Sequence, residues 1–328
     1  MRTLREVSKT YGPAIVLLLG GFVLAYQFVD PAAPHTISIS SGSPDGAYSQ
    51  FAERYKHELA KNGVQLAIRP SHGSAENVSR LEAGAVDVAF VQGGVSGAAD
   101  SGLLSLGSLY FEPIWVFSRA PLHRLTELRG KSIAVGAAGS GTRPVALQLL
   151  AANHVTGDNS TLLDASGQAA ADALTQGEAD AVFFIASPQV AYIQALMADS
   201  RMHLMELDRA DAYARLYPYL ASVNLPQGAM NLERNIPAQS TTLLATTAAL
   251  VIRHDMHPDL QIILLQAAAA AHRGSGLFEN LGQFPSPAYV QLPLSKEAAR
   301  YYEYGPPFLQ QYLPFWTANM IDRLKVML

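Results

Sequence analysis

From residue 36 onward, short apolar runs alternate with longer stretches in which apolar positions recur every three or four residues. These two periods separate strand from helix. TISIS (36–40) predicts a strand and SGSPDG a turn. AYSQFAERYKHELAKNG then predicts a helix that buries Phe51, Tyr55 and Leu59 and stops near Gly63. QLAIRP predicts a second strand, SHGS a loop, AENVSRLEAG a helix with Ser74 as its N-cap, and VDVAFVQ a third strand. The order repeats in KSIAVG, GSGT, RPVALQLLAANHV, SGQAAADALTQG and ADAVFFIAS. Strands that alternate with helices pair in parallel, so the fold class is α/β.

The repeat is closest where Leu81, Gly84, Asp87 and Phe90 share the spacing of Leu174, Gly177, Asp180 and Phe183. It predicts two lobes: residues 36–117 with 223–305, and residues 118–222. YFEPIWVFS (110–118) crosses outward, LYPYLASVNLP (216–226) returns, and TTLLATTAALVIR rejoins the first sheet. Gly/Ser loops at the carboxyl ends of parallel strands would face one another across a cleft, and paired crossings would act as a hinge.

The two ends read differently. Residues 10–29 carry no charge and are long enough to span a bilayer. Arg2, Arg5 and Lys9 precede them, which places residues 1–9 in the cytoplasm and everything beyond the linker 30–35 outside the cytoplasmic membrane. A cleaved signal peptide competes with this single-pass anchor, but a small-x-small site is not evident just after the run. The C-terminal segment 306–328 is aromatic-rich and amphipathic. It predicts a last helix on the first lobe burying Phe308, Leu309, Tyr312 and Leu313, with membrane contact as the alternative.

Composition narrows the chemistry. The 328 residues are 49% hydrophobic and 15% charged, with net charge -4 and no long basic cluster, so nucleic acid is not an expected partner. The chain has no cysteine, which removes disulfides and thiolate chemistry. GAAGSGTRP (136–144) joins a strand to a helix start, where free backbone N–H groups favour an anion. It lacks the Lys-Ser/Thr of a P-loop, the dinucleotide glycine pattern and the G-x-S-x-G elbow. Ser140, Gly141 and Thr142 are therefore candidates to receive a carboxylate, with Arg143 beside them. Ser43 in the first loop, Tyr48 opening the following helix, Gln92 ending the third strand and Ser187 ending FFIAS complete the candidate ligand contacts. Asp87 and Asp180 read as turn partners, and His254 and His257 lack a third metal ligand. No catalytic group, metal or cofactor is expected.

In SGSPDGAY, PSHGSAENVSRLEAGAVDVAFVQ, LRGKSIAVGAAGSGTRP, QGEADAVFFIAS and LYPYL, taken in order over residues 36–305, the chain resembles the TAXI solute-binding proteins of TRAP transporters, which have the type II periplasmic-binding fold. It departs from that pattern at Gly93 and Gly94, where a polar pair is usual, and at Ser43, Pro44 and Asp45 in the first loop. The resemblance implies a bilobal extracytoplasmic receptor that delivers a small organic acid to TRAP-type permease subunits. A tethered module that senses its ligand without transport is the alternative.

Overall fold

TISIS forms strand β1 (Thr36–Ser40), and helix α1 (Ala47–Ala60) follows the first loop. Tyr55 and Leu59 are buried on α1 as expected, while Phe51 is half-buried. The computed structural model describes residues 33–44, 46–95, 101–313 and 315–324. The anchor expected at 10–29 and Asp45 lie outside the described residues. Among those described, no helix is long and apolar enough to cross a membrane. Residues 35–305 form one compact unit; a second unit comprises residues 1–34 and 306–328.

In the first unit, β2 (Gln65–Arg69) and β3 (Val88–Gln92) flank β1 in parallel. The second set repeats this with β5 (Ser132–Ala134) between β6 (Thr161–Leu163) and β7 (Ala181–Ile185), again parallel. Two long strands join the sets. β4 (Leu103–Ser118) pairs antiparallel with β7 at 114–118, and β10 (Thr241–Arg253) pairs antiparallel with both β3 and β4. The result is one continuous sheet, ordered β2-β1-β3-β10-β4-β7-β5-β6, with the two-residue β8 (His203–Leu204) on the end of β4. The return is thus made by β10 itself. Within LYPYLASVNLP only β9 (Ala221–Leu225) is a strand, and it pairs with the first residues of β10. Where the crossings meet, Thr246 lies opposite Glu112 and Leu244 opposite Ile114. Buried Trp115, Phe117 and Phe183 pack around the β4–β7 pairing, and Phe90 is buried on β3.

The internal repeat has a physical basis. Asp87 Oδ2 accepts hydrogen bonds from the Ser38 N–H at 2.7 Å and the Ser38 hydroxyl at 2.8 Å. Asp180 Oδ2 accepts from the Ser132 N–H at 2.9 Å. Each carboxylate therefore ties the turn before one outer strand to the middle strand of its own set, the structural role expected of both residues. Gly84 and Gly177 end the preceding helices at φ +67° and +84°, in the left-handed region where glycine is unstrained. Asp87→Ala is expected to cost roughly 1.5–3 kcal/mol, and Asp180→Ala an amount toward the lower end of that range, because hydrogen bonds to a charged acceptor are lost. The two losses should add in urea unfolding, since the sites share no partner; unchanged midpoints would refute the clamp role.

Ser74 does not cap. It is the first residue of α2 (Ser74–Glu82), Gly73 stands at the N-cap, and the Ser74 hydroxyl accepts from the Gln92 N–H at 2.9 Å instead. The hydroxyl is directed to β3 rather than back to the first N–H groups of its own helix. In the second unit, Phe308 and Tyr312 lie on a helix of only five residues, Phe308–Tyr312, and are 70% and 73% exposed. The expected burial of these two is not found: their rings pack against each other in a tilted pair, centroids 5.1 Å apart, and leave most of their surface exposed. Leu309 and Leu313 are half-buried.

Candidate functional site

The carboxyl ends of the two parallel sets meet at residues 92 and 141. Gln92, buried at the end of β3, donates from Nε2 to the carbonyl of Gly141 at 2.8 Å. Gly141 immediately precedes α3 (Thr142–Ala151). A Cβ on Gly141 would lie 2.7 Å from Gln92 Oε1, so glycine is what permits the approach. Gly93 and Gly94 work in the same way: a Cβ on Gly94 would lie 2.6 Å from Val145 Cγ2 and 2.9 Å from the Tyr219 ring. Gly93 and Gly94 thus stand where Val145 and Tyr219 pack closely against the end of β3.

The loop 136–142 supplies donors. The Ser140 N–H is taken by the Ala137 carbonyl at 3.0 Å, and the Ser140 hydroxyl accepts from the Arg143 N–H at 3.4 Å. The Thr142 hydroxyl accepts from the Ile185 N–H at 3.3 Å, which keeps its own proton available for donation. Among the described residues the N–H groups of Gly141 and Thr142 have no partner. Arg143 turns away from this array. Its Nη1 bonds the Gly136 carbonyl and Asp164 Oδ1, both at 2.9 Å, in a pair exposed enough to add little stability.

Tyr48 stacks on Phe90 with centroids 5.3 Å apart and donates to Glu112 Oε2 at 3.1 Å. Burial first, and then the charge of Glu112, push the Tyr48 phenol well above its usual value; a hydrogen bond from Ser74 offsets part of this. A polar path thus runs from Glu112 through Tyr48 and Ser74 to Gln92 and Gly141. Burial pushes the Glu112 carboxyl up to about 8 despite its bond to Tyr48, so the group is largely protonated at neutral pH. The buried hydroxyls of Ser41, just after β1, and Thr246, opposite Glu112, have no partner among the described residues.

The other two candidates stand apart from this path. Ser43 is exposed, with its carbonyl accepting from the Gly46 N–H at 2.9 Å. Ser187 donates to Gln189 Oε1 and lines a cavity of about 380 Å³ together with Phe51, Tyr110, Glu112 and His272. The structure therefore brings Tyr48, Gln92, Gly141 and Thr142 into one connected arrangement and reaches Ser187 only through the Glu112 cavity. Sequence patterning alone does not single out Glu112. Its one signal is a lone acid, followed by proline, inside the apolar run YFEPIWVFS. Among the described residues no group of three His, Asp or Glu is placed to hold a metal ion.

Two parallel sets joined by two long antiparallel crossings, with their glycine-rich loops facing one another, define an α/β fold of the periplasmic-binding-protein kind. Residues 47–303 match the NMT1-like family, and the chain belongs to that family. Among solved structures it is similar to a protein of Bordetella bronchiseptica RB50, with 16% identity, 89% of each chain covered and a TM-score of 0.50. It is also similar to the periplasmic aliphatic sulphonate binding protein SsuA of Escherichia coli, with 12% identity over 90% of this chain and 79% of that one and a TM-score of 0.49. A third is the amino acid ABC transporter substrate-binding protein AbpA of Streptococcus pneumoniae, bound to L-arginine, with 16% identity over 72% and 88% and a TM-score of 0.45. At these identities the likeness is one of fold.

Proposed function

We propose that the protein is an extracytoplasmic solute-binding receptor of the TAXI kind, tethered to the cytoplasmic membrane through residues 10–29, that captures a small carboxylate-bearing solute and passes it to a TRAP-type permease. The observation that carries this reading is the meeting of Gln92 and Gly141, beside which the Gly141 and Thr142 N–H groups lack partners among the described residues. A carboxylate there would satisfy groups that the fold leaves open, at the end of a helix whose dipole favours negative charge. Arg143 contributes little, being held by Gly136 and Asp164. The lobes, residues 36–117 with 223–305 and residues 118–222, would close by rotation about β4 and β10, because β10 pairs with β3 of the first set and with β4, and β4 pairs with β7 of the second.

Native mass spectrometry of the purified full chain tests the reading. A small organic acid is expected to accompany the protein. Its removal should enlarge the radius of gyration in small-angle scattering and lower Tm, since a ligand that binds only the folded closed form stabilises it by mass action. Identical scattering and Tm with and without the molecule would overturn the proposal.

A further inference from the structure

The cavity of about 380 Å³ beside Glu112 falls within the range of small-molecule sites. Its walls include Phe51, Tyr110, Glu112 and His272. Tyr110 and Glu112 are two apart on β4 and so point to one face of the sheet. The Tyr110 ring stacks on His272 with centroids 5.6 Å apart, and Phe51 lies 4.9 Å from Tyr110 and 4.2 Å from His272. Two polar atoms of this cluster, Tyr110 Oη and His272 Nε2, are buried without a partner among the described residues, and His272 is only 7% exposed. Burial pushes the imidazole down to about 3, so it is neutral and can accept a hydrogen bond when its proton sits on Nδ1.

Glu112 has Tyr48 as its one hydrogen-bond partner among the described residues, and none of them forms an ion pair with it. Arg54, on the cavity wall, is an exposed residue whose guanidinium lies over the Phe51 ring at 5.2 Å and makes no ion pair with Glu112. A buried carboxyl without a cation must either hold a proton or receive a positive ligand. We infer that this cavity receives a primary ammonium group, with the Glu112 carboxylate as its counter-charge, the Tyr110 hydroxyl and His272 Nε2 as further acceptors, and the Phe51 ring as an apolar wall. An ammonium has three donors, and the cluster offers three kinds of acceptor on adjoining side chains. Phe51 adds the face of a ring to a cation that has left water. Because Tyr110 Oη and His272 Nε2 are themselves covered, the ammonium meets Glu112 first and reaches the other two by parting the Phe51–Tyr110 contact. The cavity shares Ser187 with the proposed solute contacts, so the inference deepens the receptor reading and rests on it: the captured solute carries an amine.

Binding by the carboxylate requires loss of the Glu112 proton. The other titratable groups around it are Tyr48 on α1, Tyr110 on β4, His272 at the end of the helix Pro258–His272, and Glu279 and Arg54 on the cavity wall. The test uses benzylamine, with neutral benzyl alcohol and anionic benzoate as probes of the same shape, in calorimetric titrations of the purified full chain. Benzylamine is expected to bind at least tenfold more tightly than either probe, and Glu112→Gln, which keeps shape and the Tyr48 bond, should remove that preference. Wild-type affinity should rise roughly tenfold per pH unit from pH 6 to 7.5 and level off above about 8, because below the carboxyl's own value each unit changes the ionised fraction tenfold. Equal binding of the three probes, or a Glu112→Gln chain that retains the preference, overturns the inference; if that variant does not fold, a pH-independent wild-type affinity overturns it equally. Benzylamine that binds as expected without displacing the co-purified acid would leave the ammonium site standing and count against its being part of the solute site. An amine-free co-purified solute, displaced by benzoate alone, would leave the receptor reading standing and sink the ammonium site.

Discussion

Gly141→Val is expected to abolish solute capture in a chain that stays folded. The backbone at Gly141 has φ -66°, which any residue adopts, so the substitution carries no conformational penalty of its own. The atoms nearest the new Cβ all belong to the end of Gln92, Oε1 at 2.7 Å and Cδ at 3.0 Å, and a side-chain amide can swing aside. What is lost is the close approach of the two sets and the bond from Gln92 Nε2 to the Gly141 carbonyl. The branched side chain also stands beside the unpartnered N–H groups of Gly141 and Thr142. Removing donors from a charged acceptor at a desolvated site costs roughly 2–3 kcal/mol, or about 100-fold in affinity. Gly157→Ala is the control, because nothing lies within 4 Å of its Cβ position. The measurement is the amount of small molecule that co-purifies with each chain, alongside its unfolding midpoint. A Gly141→Val protein that carries a full complement of solute would show that the loop is only a turn.

Much of the architecture is legible because the local signals agree with the tertiary outcome. Thr36–Ser40, Val88–Gln92 and Ala181–Ile185 are short apolar runs bounded by turn residues, and all three are strands. The spacing shared by Asp87 and Asp180 corresponds to two equivalent clamps onto Ser38 and Ser132. Local signals mislead where a partner far along the chain decides the outcome. Ser74 has the identity of an N-cap, but the Gln92 N–H, eighteen residues away, takes its hydroxyl. Tyr217 to Leu220 are as apolar as a strand, yet the chain is still leaving the helix Ala210–Leu216 there, and the crossing falls to β10.

The site is legible in part for the same reason. A small-residue loop before a helix marks Gly141 and Thr142 from sequence alone as carriers of open N–H groups, since donor supply is a local property. Arg143 illustrates the limit: its charge is read locally, but its direction is set by Asp164, 21 residues on and visible only in the fold. Without side chains, Gly93 and Gly94 look unable to serve a ligand, whereas they are the space that Tyr219 and Val145 occupy. Glu112 is the hardest case. Inside an apolar strand a single acid looks like an edge position, and only the antiparallel pairing with β10 shows it at the crossing of the two sets.

Gly107→Ala is expected to be the most damaging single-methyl change in the first unit. Gly107 lies on β4 beside a register shift in its pairing with β10, and its φ of +126° is one that side-chain-bearing residues rarely adopt. A Cβ there would collide with Tyr302 Oη and stand 2.8 Å from the Ser286 carbonyl. Neither can yield cheaply. Tyr302 Oη donates to the Leu106 carbonyl at 2.8 Å, and Ser286 is held by reciprocal backbone bonds with Ser108 at 2.8 and 2.9 Å. The Ser108 hydroxyl also donates to the Ala288 carbonyl at 2.7 Å, so the methyl would lift the segment 286–288 from the strand. Backbone strain of about 1–3 kcal/mol and overpacking of similar size sum to roughly 3 kcal/mol or more. For a unit of this size that is a fall in Tm of roughly 6–12 °C. Gly130→Ala separates the two causes: its φ is +75°, but nothing lies within 4 Å of the Cβ position, so only the backbone term, about 1–2 kcal/mol, should appear. Urea unfolding of both variants gives the difference, and a Gly107→Ala loss no greater than that of Gly130→Ala would mean that Tyr302 and Ser286 do not hold the segment against β4.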